Sequence, residues 1–132
     1  MLYLAYGSNL HTIQMKNRCP AAKPLYAFDL PDWELVFRSV ADIVPAPGKS
    51  VPVAVWDISE KCEAALDRYE GVASGMYRKE YIELDEGPAL VYLMNSKDVY
   101  PPGSFYYSTI EQGYRQWGHW DGPLVDAFNA TL

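Results

Sequence analysis

The amino-acid sequence predicts a single α+β domain, spanning residues 1–132, built on one mixed sheet. Its length of 132 residues is that of one compact domain. Hydrophobic residues make up 49% of the chain and charged residues 21%, which is typical of a chain with a packed core. The predicted order is one strand, a helix, several strands, a helix, two strands and then helices. This order indicates the α+β class.

The first predicted elements are a strand, a turn and a short helix. Residues 2–6 form an apolar run typical of a buried strand, and this run stops at the turn-forming residues 7–9. Apolar residues at a roughly helical spacing in residues 10–19 then predict a helix. Asn9 is its candidate N-cap and Pro20 its stop.

Three further strands are predicted in the middle of the chain. Residues 23–30 and 33–40 have strand-like composition and are separated at residues 31–32, a Pro-Asp pair. Residues 41–50 contain two prolines and a glycine, so we expect an irregular loop or a sheet edge there. The alternating pattern of residues 51–59 then returns the chain to the sheet.

Residues 59–71 predict the clearest helix of the chain. Ser59 is a suitable N-cap, apolar residues form one face of the segment, and Gly71 is a natural C′ residue. The elements predicted after it are strands at residues 76–84 and 89–95, a turn at residues 85–88 between them, and helices at residues 104–118 and 123–132.

The net charge and the apolar runs argue against several classes of partner. The formal net charge is −6 and the chain has no run of Lys or Arg, so neither nucleic acid nor an anionic membrane surface is expected as a partner. No apolar run approaches the ~20 residues that a membrane span needs. Because no signal-peptide pattern is evident, we expect a cytoplasmic protein. The choice between a monomer and a homodimer stays open.

The chain has two cysteines, Cys19 and Cys62. They are too few for a disulfide scaffold, and neither lies in a C-x-x-C pattern. We therefore expect both to be buried free thiols in a reducing compartment.

The turn at residues 7–9 is the first candidate binding site. A strand that leads through small residues into a helix presents free N–H groups at the positive end of the helix dipole, which suits an anion or a carbonyl oxygen. From these residues alone, an ordinary strand-to-helix turn capped by Asn9 is the favoured interpretation, because such turns are common.

Glu70 is the second candidate. It lies at the C-terminal end of its predicted helix, just before Gly71, where the helix dipole opposes a carboxylate. Shielding by Tyr69 and nearby aromatic residues would raise its pKa further, to a range suited to proton transfer. The alternative is a solvated surface glutamate.

Several common catalytic and binding motifs are missing from the sequence. There is no G-x-S-x-G for a serine nucleophile, and no P-loop or G-x-G-x-x-G for a nucleotide. His11, His119 and Asp121 lack the spacing of metal ligands, so no metal site is predicted. Aromatic residues near the C-terminus are predicted to be mostly core, with one or two hydroxyl groups lining a pocket: Phe105, Tyr106, Tyr107, Tyr114, Trp117 and Trp120.

Four stretches together carry a family resemblance. They are Y-G-S-N-L at residues 6–10, M-x-x-R-C-P at residues 15–20, D-R-Y-E-G-V-A-S-G-M-Y-R-K at residues 67–79 and Y-x-x-x-I-x-x-G at residues 106–113. In this order and spacing the chain resembles the gamma-glutamylcyclotransferase-like family. The resemblance covers most of the chain, and the Y-G-S-N turn paired with the later E-G is its specific part.

This resemblance implies a small mixed β-barrel flanked by helices, with the turn and Glu70 meeting in one cavity. It also implies a reaction without a cofactor on a γ-glutamyl group, whose α-amine attacks its own γ-carbonyl to give 5-oxoproline and a released amino acid or amine. The implied site residues are Glu70 as the acid and base, Tyr6, Gly7, Ser8, Asn9 and Leu10 in the binding loop, and Tyr77 and Tyr106 in the pocket.

Two other functions stay open at this stage. A related enzyme could act on a γ-glutamylamine or remove a γ-glutamyl protecting group from a biosynthetic intermediate. A protein of another class could use the same cavity to bind a small amide or carboxylate without turnover. Formation of 5-oxoproline by the wild type but not by Glu70→Gln distinguishes the enzymes from the binding protein.

Overall fold

The computed structural model describes all 132 residues of the chain. In chain order its elements are β1 (Leu2–Ala5), a 3₁₀ turn (Ser8–Leu10), α1 (Thr12–Arg18), β2 (Lys23–Arg38), β3 (Val40–Asp57), α2 (Glu60–Tyr69), β4 (Tyr77–Leu84), β5 (Gly87–Met94), α3 (Ser104–Trp117) and α4 (Gly122–Asn129). None of the helices combines the length and the apolar character needed to cross a membrane.

The five strands form one mixed sheet in the order β2-β3-β1-β5-β4. β1 and β5 are parallel, and the other neighbouring strands are antiparallel. Because β1 lies in the middle of the sheet, its sequence is a continuous apolar run. The predicted α+β class with one mixed sheet is confirmed. The pairing leaves β2 and β4 at the two edges, so it does not confirm the closed barrel that the resemblance implied.

β2 and β3 form one long hairpin, where the sequence predicted two separate strands followed by a loop or an edge. The hairpin turns at Ser39, whose φ of 71° lies in the left-handed region. Residues 41–50 belong to β3. β1 pairs only with residues 54–57 of β3, so the prolines of residues 41–50 lie where one side of the strand is free.

The predicted break at Pro31 is a shift of register within β2 and not the end of a strand. Residues 46–49 of β3 lie opposite Asp32 alone, because the pairing jumps there. The φ of Asp32 is 67°, a conformation that Asp adopts more readily than most residues. Pairing on both sides of this irregularity keeps β2 continuous.

The predicted caps of α2 are confirmed, but the predicted N-cap of α1 is wrong. Oγ of Ser59 accepts a backbone hydrogen bond at 3.2 Å at the start of α2, and Gly71, with a φ of 63°, follows the end of that helix. The N-cap of α1 is His11, whose Nδ1 accepts from the N–H of Gln14 at 3.3 Å. Asn9 is not the cap, because the 3₁₀ turn intervenes and α1 begins after it.

Cys19 and Cys62 form a disulfide that joins the residue after α1 to the first turn of α2. Both residues are buried, as expected, but the prediction of two free thiols is wrong. The two positions are 43 residues apart in the sequence, so no local pattern points to their pairing. Only the contact between α1 and α2 in the folded chain brings them together.

α3 packs directly against the 3₁₀ turn through Gly113. A Cβ atom at this position would lie 2.8 Å from Cβ of Leu10 and 2.9 Å from the backbone nitrogen of His11, which leaves no room for a side chain. Tyr106, Ile110 and Gly113 lie at helical spacing and share one face of α3. The Y-x-x-x-I-x-x-G stretch therefore forms the helix face that lies against the turn.

Candidate active site

A cavity of about 160 Å³ lies where the end of β1 meets the end of α2 and the start of α3. It is lined by all but one of the predicted site residues: Tyr6, Gly7, Ser8, Asn9, Glu70, Tyr77 and Tyr106. Leu10 is the exception. Its side chain is buried beside Gly113, and its carbonyl oxygen accepts a hydrogen bond from Nε1 of Trp117 at 2.8 Å.

Glu70 is the single carboxylate that lines the cavity. It follows α2 directly, and its N–H donates to the carbonyl oxygen of Leu66 at 2.8 Å, so the helix end fixes where its side chain begins. Burial raises the pKa of the Glu70 carboxyl to about 7, and the nearby Arg18 has a smaller, opposite effect. Near neutral pH such a group is partly protonated and partly ionised, which suits both an acid and a base.

Tyrosines around Glu70 provide neutral hydroxyl groups. Burial is the largest cause that raises the pKa of each of them, and the charge of Glu70 raises these pKa values further: Tyr3, Tyr6, Tyr77, Tyr92 and Tyr106. Their hydroxyl groups therefore keep their protons and act as hydrogen-bonding groups and not as bases.

Three of these hydroxyl groups donate their protons to the protein itself, that of Tyr92 to Oδ1 of Asp67 at 2.7 Å. Tyr6 donates to the carbonyl oxygen of Tyr92 at 2.5 Å, and Tyr77 donates to that of Ala41 at 2.6 Å. The first bond joins the residue after β1 to β5, and the second joins β4 to the start of β3. Tyr6 and Tyr77 therefore shape its wall.

Two other hydroxyl groups accept hydrogen bonds and keep their protons free. The hydroxyl oxygen of Tyr106 accepts from the N–H of Ala41 at 2.9 Å. That of Tyr3 accepts from Nδ2 of Asn9, also at 2.9 Å. Neither tyrosine donates to another protein group, so both protons are available to a ligand in the cavity.

The turn that begins at Gly7 adds main-chain donors. The N–H of Gly7 makes no hydrogen bond within the protein, and the first N–H groups of a helical turn have no partner inside that turn. A Cβ at Gly7 would lie 3.2 Å from Cβ of Ala41 and 3.4 Å from the Tyr106 hydroxyl. The missing side chain therefore lets the main chain come close to the ligand space.

Ser8 and Asn9 are both buried, and their side chains bind polar groups of neighbouring elements. Oγ of Ser8 lies 3.2 Å from the hydroxyl of Tyr69. Arg18 donates to the side-chain oxygens of both residues. The conformation of the turn is thus held by side-chain hydrogen bonds, and all three of Gly7, Ser8 and Asn9 line the cavity.

The two histidines lie apart from the cavity. Nε2 of His119 lies 2.9 Å from the carbonyl oxygen of Val53, and Nε2 of His11 lies 3.0 Å from Oε1 of Gln112. Both rings therefore make structural hydrogen bonds. No group of three or more His, Cys, Asp or Glu side chains is close enough together to hold a metal ion.

Half of the residues in the cavity wall were not among the predicted site residues, although Tyr69 was expected to shield Glu70. These residues are Tyr3, Leu4, Val40, Ala41, Tyr69, Met76 and Tyr92. Tyr69 and Met76 lie in the stretch 67–79 that carries the resemblance, so that stretch held a signal for them. Ala41 contributes its backbone N–H and carbonyl oxygen, and every residue type except proline has both of these groups. Tyr92 lies in a buried apolar strand, where nothing in the sequence marks the residue that faces a cavity.

A buried carboxyl group with a raised pKa in a small cavity with free hydrogen-bond donors is an arrangement suited to acid–base chemistry on a small molecule. A family comparison makes this specific, because residues 3–116 match the family model described as "Gamma-glutamyl cyclotransferase, AIG2-like". The chain belongs to this family.

Individual relatives agree with the family match. The human protein named gamma-glutamylcyclotransferase is 32% identical over 134 residues, which covers 89% of this chain and 71% of the human one. The mouse protein of that name is 32% identical with the same coverage. A solved structure named gamma-glutamyl cyclotransferase has a TM-score of 0.80 at 30% identity and covers 100% of this chain and 88% of its own.

A more distant structure shares the fold alone. YkqA from Bacillus subtilis has a TM-score of 0.83 at 20% identity, over 99% of this chain and 55% of its own. The predicted family, and with it an enzyme of the cyclotransferase type, is confirmed by the closer matches.

Proposed function

We propose that the protein is a γ-glutamyl cyclotransferase that acts on a γ-glutamyl amide. The α-amine of the γ-glutamyl group attacks the γ-carbonyl carbon, which closes 5-oxoproline and releases the attached amino acid or amine. The observation that carries this proposal is a single cavity lined by both the Gly7 turn and Glu70, whose carboxyl pKa is raised to about 7.

Glu70 is the proposed acid and base. The α-amine of a substrate has an ordinary pKa of about 8, so it arrives mostly protonated at neutral pH. Ionised Glu70 takes one proton from this ammonium group, which frees the lone pair for attack. It then gives that proton to the leaving nitrogen as the amide C–N bond breaks.

A second proton follows the same route. The nitrogen of the new ring starts as an ammonium group and ends with a single hydrogen, so it loses two protons in all. The leaving nitrogen ends as an ammonium group and gains two. Glu70 transfers them one after the other and is ionised again at the end of the reaction.

Ring closure is intramolecular, so the main task of the cavity is to hold the substrate folded with its amine near its γ-carbonyl. A cavity of about 160 Å³ is small compared with the several hundred Å³ of common ligand pockets. It suits the γ-glutamyl group alone. The leaving group would then lie at the mouth, where Tyr69 and Met76 are 44% and 42% exposed.

The free donors of the cavity complete the proposed site. The N–H of Gly7 and the hydroxyl protons of Tyr3 and Tyr106 would bind the substrate α-carboxylate and the oxygen that becomes negatively charged during attack. Donors fixed in place before the reaction stabilise such a charge more than water does. Ser8 and Asn9 contribute through the shape of the turn.

The proposal is tested with purified protein and a panel of γ-glutamyl amino acids and γ-glutamyl amines, with 5-oxoproline as the measured product. Glu70→Gln keeps the side-chain shape and removes the acid–base group, so we expect kcat to fall at least about 100-fold while the fold survives. Glu60→Gln removes an exposed carboxylate from the first residue of α2, the helix that ends just before Glu70, and should leave kcat unchanged. Tight binding without product, in wild type and Glu70→Gln alike, would identify a binding protein instead.

Location and assembly remain predictions from the sequence, namely a cytoplasmic protein that is a monomer or a homodimer. The Cys19–Cys62 disulfide bears on location, because such bonds are rare in reducing compartments. Trapping free thiols with an alkylating reagent during cell lysis would report whether the bond is present at the site of function.

A further inference from the structure

We propose that Arg18 is a positioning residue, and this inference rests on the proposed function. Arg18 is the last residue of α1 and does not line the cavity. Its guanidinium group joins the turn at residues 7–9 to the end of α2, just before Glu70. It also determines that Asn9 is the donor in its hydrogen bond with the Tyr3 hydroxyl.

The guanidinium group contacts four side chains on three elements. Nη1 donates to Oδ1 of Asn9 and, at 3.4 Å, to Oγ of Ser8. Nη2 donates to Oε1 of Gln14 at 2.7 Å, which anchors the group to its own helix. Its Cζ lies 3.5 Å from the centre of the Tyr69 ring, next to Glu70 in the sequence.

A further bond closes this arrangement. Oγ of Ser8 lies 3.2 Å from the hydroxyl of Tyr69, so the turn and the end of α2 touch each other as well as Arg18. The cation over the Tyr69 ring adds a favourable interaction. Any movement of the turn away from Glu70 would have to break several of these contacts together.

Arg18 also fixes the orientation of the Asn9 amide. A guanidinium group only donates hydrogen bonds, so Asn9 must present its oxygen to Arg18. Its Nδ2 then faces Tyr3 and donates to the Tyr3 hydroxyl at 2.9 Å. Because Tyr3 accepts this bond, its own proton stays free for a ligand. Arg18 thus acts on a cavity donor through Asn9.

Arg18 is also the charged side chain that opposes the effect of burial on Glu70. Burial raises the pKa of the Glu70 carboxyl, and the positive charge of Arg18 lowers it. The other titratable groups that line the cavity with Glu70 are all tyrosines: Tyr3, Tyr6, Tyr69, Tyr77, Tyr92 and Tyr106. A tyrosine side chain carries no positive charge in either protonation state, so Arg18 has no cationic substitute there.

The test compares Arg18→Met with Arg18→Lys by the pH dependence of kcat/KM for 5-oxoproline formation. For Arg18→Met we expect kcat/KM to fall between about 10- and 100-fold, with the midpoint of the acidic limb moved to higher pH. Arg18→Lys keeps the charge and loses the forked donor, so its midpoint should stay near that of the wild type while kcat/KM remains reduced.

Lys16→Met is the matched control, because it removes an exposed cation from the same helix. It should change neither kcat/KM nor the midpoint. An Arg18→Met protein that is less stable but has wild-type kcat/KM and midpoint when folded would overturn the proposal. An equal shift of the midpoint in Lys16→Met would also overturn it, since the effect would then be one of net charge.

A failure of the proposed function is distinguishable from a failure of this inference. If the wild type forms no 5-oxoproline from any γ-glutamyl compound, the proposed function is wrong. The role of Arg18 is then decided without substrate, by titrating the Glu70 carboxyl by NMR in wild type and Arg18→Met. A higher midpoint in the variant supports the inference, and an unchanged midpoint overturns it.

Discussion

The turn between β1 and α1 has a glycine on each of its two sides, Gly7 towards the cavity and Gly113 of α3 towards the core. A Cβ at Gly7 would lie 3.2 Å from Cβ of Ala41 and 3.4 Å from the Tyr106 hydroxyl, which is tight but close to contact distance. A Cβ at Gly113 would lie 2.8 Å from Cβ of Leu10 and 2.9 Å from the nitrogen of His11. The two sides therefore demand a glycine for different reasons.

On the core side, two stretches of main chain touch, and α3 sets where the turn lies. On the cavity side, space is kept for a ligand beside main-chain donors. One short turn is therefore held in place by close packing on its core side, while its cavity side keeps space for a ligand. Substitutions on the core side should affect folding stability, and substitutions on the cavity side should affect substrate binding and turnover.

The largest expected effect comes from Glu70 on the cavity side. Its folded pKa of about 7 lies above the usual value of 4.5, so the folded protein binds this proton more tightly than the unfolded chain does. The stability this contributes is complete below about pH 4.5 and is lost as pH rises through about 7. Glu70→Gln removes this dependence, so the variant should be more stable than wild type by about 3 kcal/mol at pH 8.5.

Urea unfolding of wild type and Glu70→Gln at pH 4.5 and pH 8.5 checks this prediction. The two proteins should have similar free energies of unfolding at the lower pH and should diverge at the higher one. Equal stability at both values would mean that the Glu70 carboxyl is not desolvated in the folded protein. An inactive variant that gains stability would mark Glu70 as a residue kept for function.

Gly113→Ala tests the close packing on the core side of the turn. The new methyl group meets the main chain of the turn, so α3 or the turn must move, and we expect a loss of about 2 kcal/mol of folding stability. Thermal unfolding measures this loss. Gly103→Ala, at a position where a Cβ meets nothing within 4 Å, is the matched control. Equal stability of the two variants would mean that the close packing at Gly113 is not needed.

Gly7→Ala addresses the cavity side and has the smallest expected effect on stability. Its methyl group would enter the ligand space beside the Tyr106 hydroxyl, so we expect KM for the γ-glutamyl substrate to rise about tenfold. The free energy of unfolding should change by less than about 1 kcal/mol. A variant that loses stability but binds substrate normally would show that Gly7 serves the fold and not the ligand.

Local patterns were enough to predict most of the fold. The caps of α2 were predicted because Ser59 and Gly71 act within a few residues of the helix they limit. For residues 41–50 the sequence left a loop and a sheet edge open, because Pro45 and Pro47 fit a strand only where one side of it is free, and the structure has the edge. The disulfide was not predicted, because its two cysteines are 43 residues apart in the sequence.

The candidate site was predictable only in part. Glu70 and the turn at Gly7 were found because helix position, turn chemistry and family resemblance all pointed to them. The direction of the hydrogen bonds was not predictable, because the Tyr106 hydroxyl accepts from an N–H that lies 65 residues away in the sequence. Arg18 belongs to the M-x-x-R-C-P stretch, but the sequence predicts no role for it, since its contacts with Ser8 and Tyr69 arise only in the folded chain.

The disulfide has a consequence for how the chain responds to a protease. All of β2 and β3 lies between Cys19 and Cys62, so the bond closes this hairpin into a covalent ring. A cut in the exposed residues 47–49 would open the ring without releasing a fragment. The cleaved protein would run as one band on a non-reducing gel and as two after reduction, which makes this hairpin a suitable place for a diagnostic cleavage site.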